Sequence, residues 1–113
     1  MEEKIVTVKV EDIAQSPLKL RLVADVVRGK NASDALDRLM LLQKKGNNVV
    51  QKAILSGIAN AREQYGVDKE DLLVSKIEVG EGRTLKRTRF ASRGRVSVIN
   101  KRRSNIILEL KVK

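Results

Sequence analysis

Nine cationic side chains fall between positions 83 and 103 of this chain: Arg83, Lys86, Arg87, Arg89, Arg93, Arg95, Lys101, Arg102 and Arg103. No Asp or Glu stands among them. The 113 residues hold 24 Lys and Arg against 14 Asp and Glu, a formal net charge of +10. Without this stretch the balance is 15 against 14, so a nearly neutral protein carries one concentrated cationic segment. Like charges held this close oppose compaction, and a polyanion relieves them. Seven of the nine are Arg, whose planar fork binds phosphate through two parallel hydrogen bonds. The chemistry implied is phosphate binding, with a nucleic acid as partner. Phe90 is the single Phe in the chain, so the row of aromatic platforms that a single-strand reader uses is missing. Recognition by backbone and shape is therefore expected, with Phe90 as a wedge, a stacking residue or an anchor of the tip. Lys19, Arg21, Arg28 and Lys30 form a second, weaker basic group. Such residues normally make a solvated helix face; here they are candidates to extend the nucleic-acid footprint.

Other chemistries find little support. The chain has no Cys and no His, which removes thiol nucleophiles, thiolate metal sites, disulfides and the commonest general base. Glu78 and Glu81 are close in sequence, but three positions apart on a strand they face opposite sides unless a bulge intervenes. Asp34 and Asp37 have the look of ordinary charges near a helix N-terminus. No enzyme, cofactor or metal is expected. MEEKIVTVKV resembles neither a signal nor a transit peptide, and no apolar run approaches bilayer-spanning length. A soluble intracellular protein is expected. A membrane-surface role is a distant possibility, because the charges do not lie on an amphipathic helix.

The elements that must present these cations follow from periodicity. Val6, Val8 and Val10 alternate with Ile5, Thr7 and Lys9, a half-buried strand. Ser16-Pro17 opens a first helix, with Leu18, Leu22, Val23, Val26 and Val27 as its expected apolar stripe and Gly29 as its stop. Asn31 and Asp34 suggest a variant capping box for a second helix with Ala35, Leu36, Leu39 and Met40 inward. Asn47 to Tyr65 predicts the longest helix, with Val50, Ala53, Ile54, Gly57, Ile58 and Ala61 facing the core and small residues allowing close approach. Leu73 to Val79 and Ile106 to Val112 alternate as strands, and Gly80-Glu81-Gly82 marks a bulge or bend; Gly94 reads as a turn residue. The expected fold is α+β: three helices packed on a small three-stranded antiparallel sheet with a long protruding β-hairpin. One domain is expected over 1–113, with a body of 1–79 and 105–113 and a basic arm of 80–104. About a dozen residues per strand at ~3.3 Å each would carry the arm on the order of 40 Å.

Taken together, SPLKLRLVADVVRGK, ILSGIANARE, LLVSKIEVGEGRTLKRTRFASRGR and KRRSNIILEL resemble the bacterial form of the twenty-second large-subunit ribosomal protein family, in order and spacing over nearly the whole chain. The resemblance implies a structural constituent of the large ribosomal subunit. It implies binding to 23S rRNA, a part in early subunit assembly, and a body near the mouth of the polypeptide exit tunnel. It also implies a β-hairpin lining the tunnel wall, with neighbouring ribosomal proteins and the nascent polypeptide as partners and no homo-oligomer. Carried over by position, the tip is 83–95, including Leu85, Phe90 and Gly94. Lys101, Arg102 and Arg103 match the basic return strand, and Lys19, Arg21, Arg28 and Lys30 the first-helix region. The chain departs from the family pattern at Arg83, at Phe90-Ala91-Ser92, at Asn105 and at Gly46-Asn47-Asn48. The alternative reading is a histone-like DNA-binding protein with a basic β-arm. Those arms work in dimers with an apolar or Pro wedge at the tip, and no Pro occupies the tip here.

Overall fold

Alternation of β-branched and polar residues produces the sheet. A computed structural model describes residues 4–42, 47–90 and 96–113, with 83–90 and 96–102 described at the level of the backbone. Strand β1 (Ile5–Ile13) buries Val6 and Val8 and exposes Thr7 and Lys9. Strand β2 spans Leu72–Phe90 and strand β3 spans Val96–Val112. The order is β1-β3-β2, antiparallel throughout, so the last strand in sequence is central in space. Ile106, Leu108 and Leu110 of β3 are accordingly fully buried, while Ile107, Glu109 and Lys111 on the other face are half-buried.

Three helices cover the buried face: α1 (Pro17–Val27), α2 (Ala32–Leu41) and α3 (Asn47–Tyr65). Ser16 and Pro17 start α1 as expected, although the Ser16 hydroxyl makes no capping hydrogen bond. Asn31 caps α2 by accepting from the Ser33 N–H at 3.0 Å rather than through reciprocal bonds with Asp34. Gly29 and Gly66 follow α1 and α3 at φ 75° and 66°. The core face of α3 is the expected one: Val50, Ala53, Ile54, Gly57, Ile58 and Ala61 are all buried. At Gly57 the helix meets the sheet so closely that a Cβ would stand 2.6 Å from Leu110 Cδ1 and 3.2 Å from Val8 Cγ2.

The α1 stripe is the expected one at Val23 and Val27, with Val26 partly buried, but not at its leucines. Leu20, Val23, Ala24 and Val27 face inward, while Leu18 and Leu22 are 71% and 53% exposed. Apolar residues cover more than one side of α1, and the packed side is the one that carries Leu20 and Ala24. Met40 in α2 is likewise exposed, and Ala32 takes its place among the buried residues with Ala35 and Leu39.

β2 carries two irregularities. Pairing steps from Val74↔Leu110 to Lys76↔Glu109, one extra residue on β2, so the buried set changes phase from Leu72 and Val74 to Ile77 and Val79. The extra residue, Ser75, donates its hydroxyl to the Glu109 carbonyl at 3.2 Å. A second step follows Glu81, at the glycine-containing bend expected there. Beyond it, β2 and β3 continue as a two-stranded ribbon to Phe90↔Val96. The molecule measures 65 × 28 × 18 Å with a radius of gyration of 17.3 Å, against about 13 Å for a compact chain of this length.

Candidate nucleic-acid interface

The ribbon's register decides how its charges sit. Thr84 pairs with Arg102, Leu85 with Lys101, Lys86 with Asn100, Arg87 with Ile99 and Arg89 with Ser97. Every cation on this ladder therefore stands opposite a neutral residue. Directly opposed like charges destabilise a strand pair, and this register avoids them. Cations also occupy both sets of alternate ladder positions: Arg87, Arg89 and Lys101 on one, Lys86 and Arg102 on the other. Alternate positions belong to opposite faces of a ribbon, so the arrangement suits a polyanion on both sides. Arg83 falls within the second β2 bulge. Arg93, Gly94 and Arg95 lie outside the described residues.

The basic residues of the body are committed differently. Arg21 donates from Nε and Nη2 to the Val79 carbonyl at 3.3 and 3.2 Å. Arg28, two helical turns further on, donates from Nη2 to the Ile77 carbonyl at 2.9 Å and pairs through Nη1 with Asp25. Gly29 N–H donates to the Val74 carbonyl at 2.9 Å, and Val74 N–H to that of Lys30 at 2.8 Å. The outer edge of β2 is thus covered by the end of α1 and the turn after it, a protection that sheet edges need. Lys19 is exposed, and Lys30 half-buried. The groove of about 590 Å³ between α1 and β2 has mixed charge: Arg21, Arg28 and Lys76 against Asp25 and Glu78. Lys76 and Glu78 pair across 3.4 Å. Arg21 and Arg28 are brought together as braces of the sheet edge, and both remain exposed residues.

Arg103, at the base of the arm, binds Asp12 of β1 through Nε to Oδ1 at 3.1 Å and Nη2 to the carbonyl at 2.8 Å. Sequence periodicity gave no sign of this pair, whose members are 91 positions apart. A local hint was the polar Ser104-Asn105 standing between the basic Lys101-Arg102-Arg103 and the apolar alternation that starts at Ile106. Among the described residues no group of three His, Cys, Asp or Glu could hold a metal ion. No helix among them is long and apolar enough to cross a membrane.

Comparison with known proteins fits this architecture. The family model for ribosomal protein L22p/L17e matches residues 8–111. Large ribosomal subunit proteins uL22 of Staphylococcus aureus strains JH9, Newman and USA300 are each 42% identical over 108 residues, covering 96% of this chain and 90% of the relative. With nearly the whole chain covered on both measures, from β1 through the basic ribbon to the end of β3, this protein belongs to the ribosomal protein L22p/L17e family.

Proposed function

We propose that this protein is a structural constituent of the large ribosomal subunit and acts by neutralising and bracing 23S rRNA. The observation that carries the reading is the ribbon ladder: cations on both sets of alternate positions, each opposite a neutral residue, with no acid between 83 and 103. Such a ribbon fits between RNA helices whose phosphates repel one another. Arg83, Lys86, Arg87, Arg89, Arg93, Arg95, Lys101 and Arg102 are its phosphate contacts. Lys19, Lys30 and the open sides of Arg21 and Arg28 make a secondary contact from the body. Residues 1–113 act as one domain, a body docked on the rRNA surface and the arm of 80–104 inserted between helices.

On this reading the body sits near the mouth of the exit tunnel in the cytoplasmic large subunit. The arm lines the tunnel wall, faces the nascent polypeptide and reaches neighbouring ribosomal proteins. Binding early in assembly lets the RNA fold around the arm. The role is structural and includes no catalysis. Sedimentation of a cell extract, with and without a high-salt wash, tests it. The protein is expected to travel with the large subunit and to resist the wash, because an interlocked arm is held sterically where simple phosphate binders are stripped. Migration as free protein or with chromosomal DNA would overturn the reading, the latter in favour of a DNA-binding arm.

A further inference from the structure

Where β3 passes from the body into the arm, both of its neighbours bulge. On β1, pairing steps from Val10↔Ile106 to Ile13↔Ser104, leaving one extra residue on β1. On β2 it steps from Glu81↔Ser104 to Thr84↔Arg102, leaving one extra residue there too. A bulge bends its strand and strands backbone groups without ladder partners. Here β3 supplies partners from its own side chains. Asp12, in the β1 bulge, has φ 57°, a conformation that Asp tolerates better than most residues. Its N–H donates to Asn105 Oδ1 at 3.0 Å, and Arg103 reaches both its carbonyl and its carboxylate. Ser104, fully buried on the opposite face, donates its hydroxyl to the Gln15 carbonyl at 2.5 Å. Three consecutive residues of β3 thus grip the end of β1 and the connection that follows it, from both faces of the strand. The β2 bulge packs against the same residues: a Cβ at Gly82 would lie 3.2 Å from Asn105 Oδ1 and 3.3 Å from the Arg103 carbonyl carbon.

We propose that Asp12, Arg103, Ser104 and Asn105 form a latch that fixes the direction in which the arm leaves the body. Arg103 is then a positioning residue and not a phosphate contact. Its side chain is only 24% exposed, and its charge is already met by Asp12. A two-stranded ribbon is a weak structure by itself, so its aim must be set at the root. Seven residues, Thr84 to Phe90, at ~3.3 Å each carry β2 about 23 Å beyond the bulge, so a tilt of about 10° displaces the end by about 4 Å. That exceeds the tolerance of any hydrogen bond to phosphate.

The RNA half of the test rests on the ribosomal reading; the geometric half does not. The chain has no Cys, so Glu63→Cys on α3 and Thr88→Cys on the arm accept a pair of spin labels for pulsed distance measurement. D12N and R103A are compared with the parent, D12N because Asn also tolerates positive φ. Each is expected to broaden or shift the distance distribution with the body's circular dichroism unchanged, and the double variant to add nothing further. Both are expected to weaken binding to a large-subunit rRNA transcript by about 3- to 10-fold, a loss of about 0.7–1.4 kcal/mol. The salt slope stays at the parent value, whereas Arg87→Ala lowers it by about 0.9. Unchanged distances in both variants would overturn the latch. So would tighter RNA binding by D12N, or a drop in slope for R103A equal to that of Arg87→Ala. A parent chain that fails to bind rRNA would sink the ribosomal reading instead, and the label distances alone would then decide the latch.

Discussion

One pair of strands lives in two environments. Over Leu72–Val79 and Ile106–Val112, β2 and β3 bury one face beneath three helices, with Leu72, Val74, Ile77, Ile106, Leu108 and Leu110 almost wholly removed from water. Past the β2 bulge after Glu81 the same two strands carry cations on both sets of alternate positions and no acid. Burial of aliphatic side chains stabilises the first region, at about 25 cal/mol per Å². The second region pairs its backbone but carries a like-charge repulsion that, on the proposed function, an RNA partner relieves. On the proposed function, one pair of strands serves two roles: the base folds the protein, and the outer part holds charge for a partner.

The sharpest way to break this comparison is to cut a side chain from each region. Leu108→Ala, in the fully buried central strand, should cost about 3 kcal/mol in chemical denaturation through lost burial and a residual cavity. Arg87→Ala, on the ribbon, should change folding stability by less than about 0.5 kcal/mol while weakening rRNA binding and its salt dependence. Equal unfolding costs for the two would mean that arm and body fold as one energetic unit.

The next effect sharpens the body's side. A methyl group at Gly57 would press on Leu110 Cδ1 and Val8 Cγ2. Gly57→Ala should therefore destabilise by about 1–2 kcal/mol, an overpacking cost of about 1–3 kcal/mol reduced by a gain in helix propensity of up to about 1 kcal/mol. A thermal midpoint that rises would show that the sheet yields freely beneath α3.

A smaller effect separates the two classes of basic residue. Arg28→Ala removes the bond to the Ile77 carbonyl on the β2 edge. It should cost about 1 kcal/mol, discounted for a side chain that is 47% exposed. Its RNA affinity should fall less than that of Arg87→Ala. A larger fall would make α1 the main contact and the ribbon secondary.

The smallest effect concerns acid. Hydrogen bonds from the Arg62 side chain and then the Lys69 N–H hold the exposed Asp68 carboxyl below its ordinary 3.8. The folded state favours this carboxylate, so its contribution is full above the unfolded value and fades as pH falls through the lowered one. Asp68→Asn should flatten the acid limb of a stability–pH curve slightly and leave neutral-pH RNA binding unchanged. The arm between 83 and 103 has no acid or His to titrate there. An identical acid limb in parent and variant would remove Asp68 from the account.

Legibility in the sequence followed the same divide. The α3 face was readable because Val50, Ala53, Ile54, Gly57, Ile58 and Ala61 form one stripe with polar residues around it. The strand alternation of Ile106, Leu108 and Leu110 was readable for a similar reason. The α1 face was not: Leu18 and Leu22 also keep helical spacing, and only the packing of Ala24 and Leu20 against neighbouring elements selects the buried side. The cationic segment announced itself through charge alone. Its register against β3 and the Asp12–Arg103 pair depend on bulges, which set two-against-one pairing between distant segments and leave no periodic trace. The use of Arg21 and Arg28 as edge braces was hidden likewise, since a guanidinium bound to its own sheet and one awaiting phosphate are the same letter in the sequence.

The most direct test removes the outer ribbon and asks each region a separate question. Deletion of 85–93 should leave the body's denaturation midpoint unchanged within about 0.5 kcal/mol. Binding to a large-subunit rRNA transcript, titrated over a range of salt, should weaken by at least tenfold at moderate salt with a markedly shallower salt slope. An unchanged affinity and slope would contradict the claim that the arm is the main RNA contact.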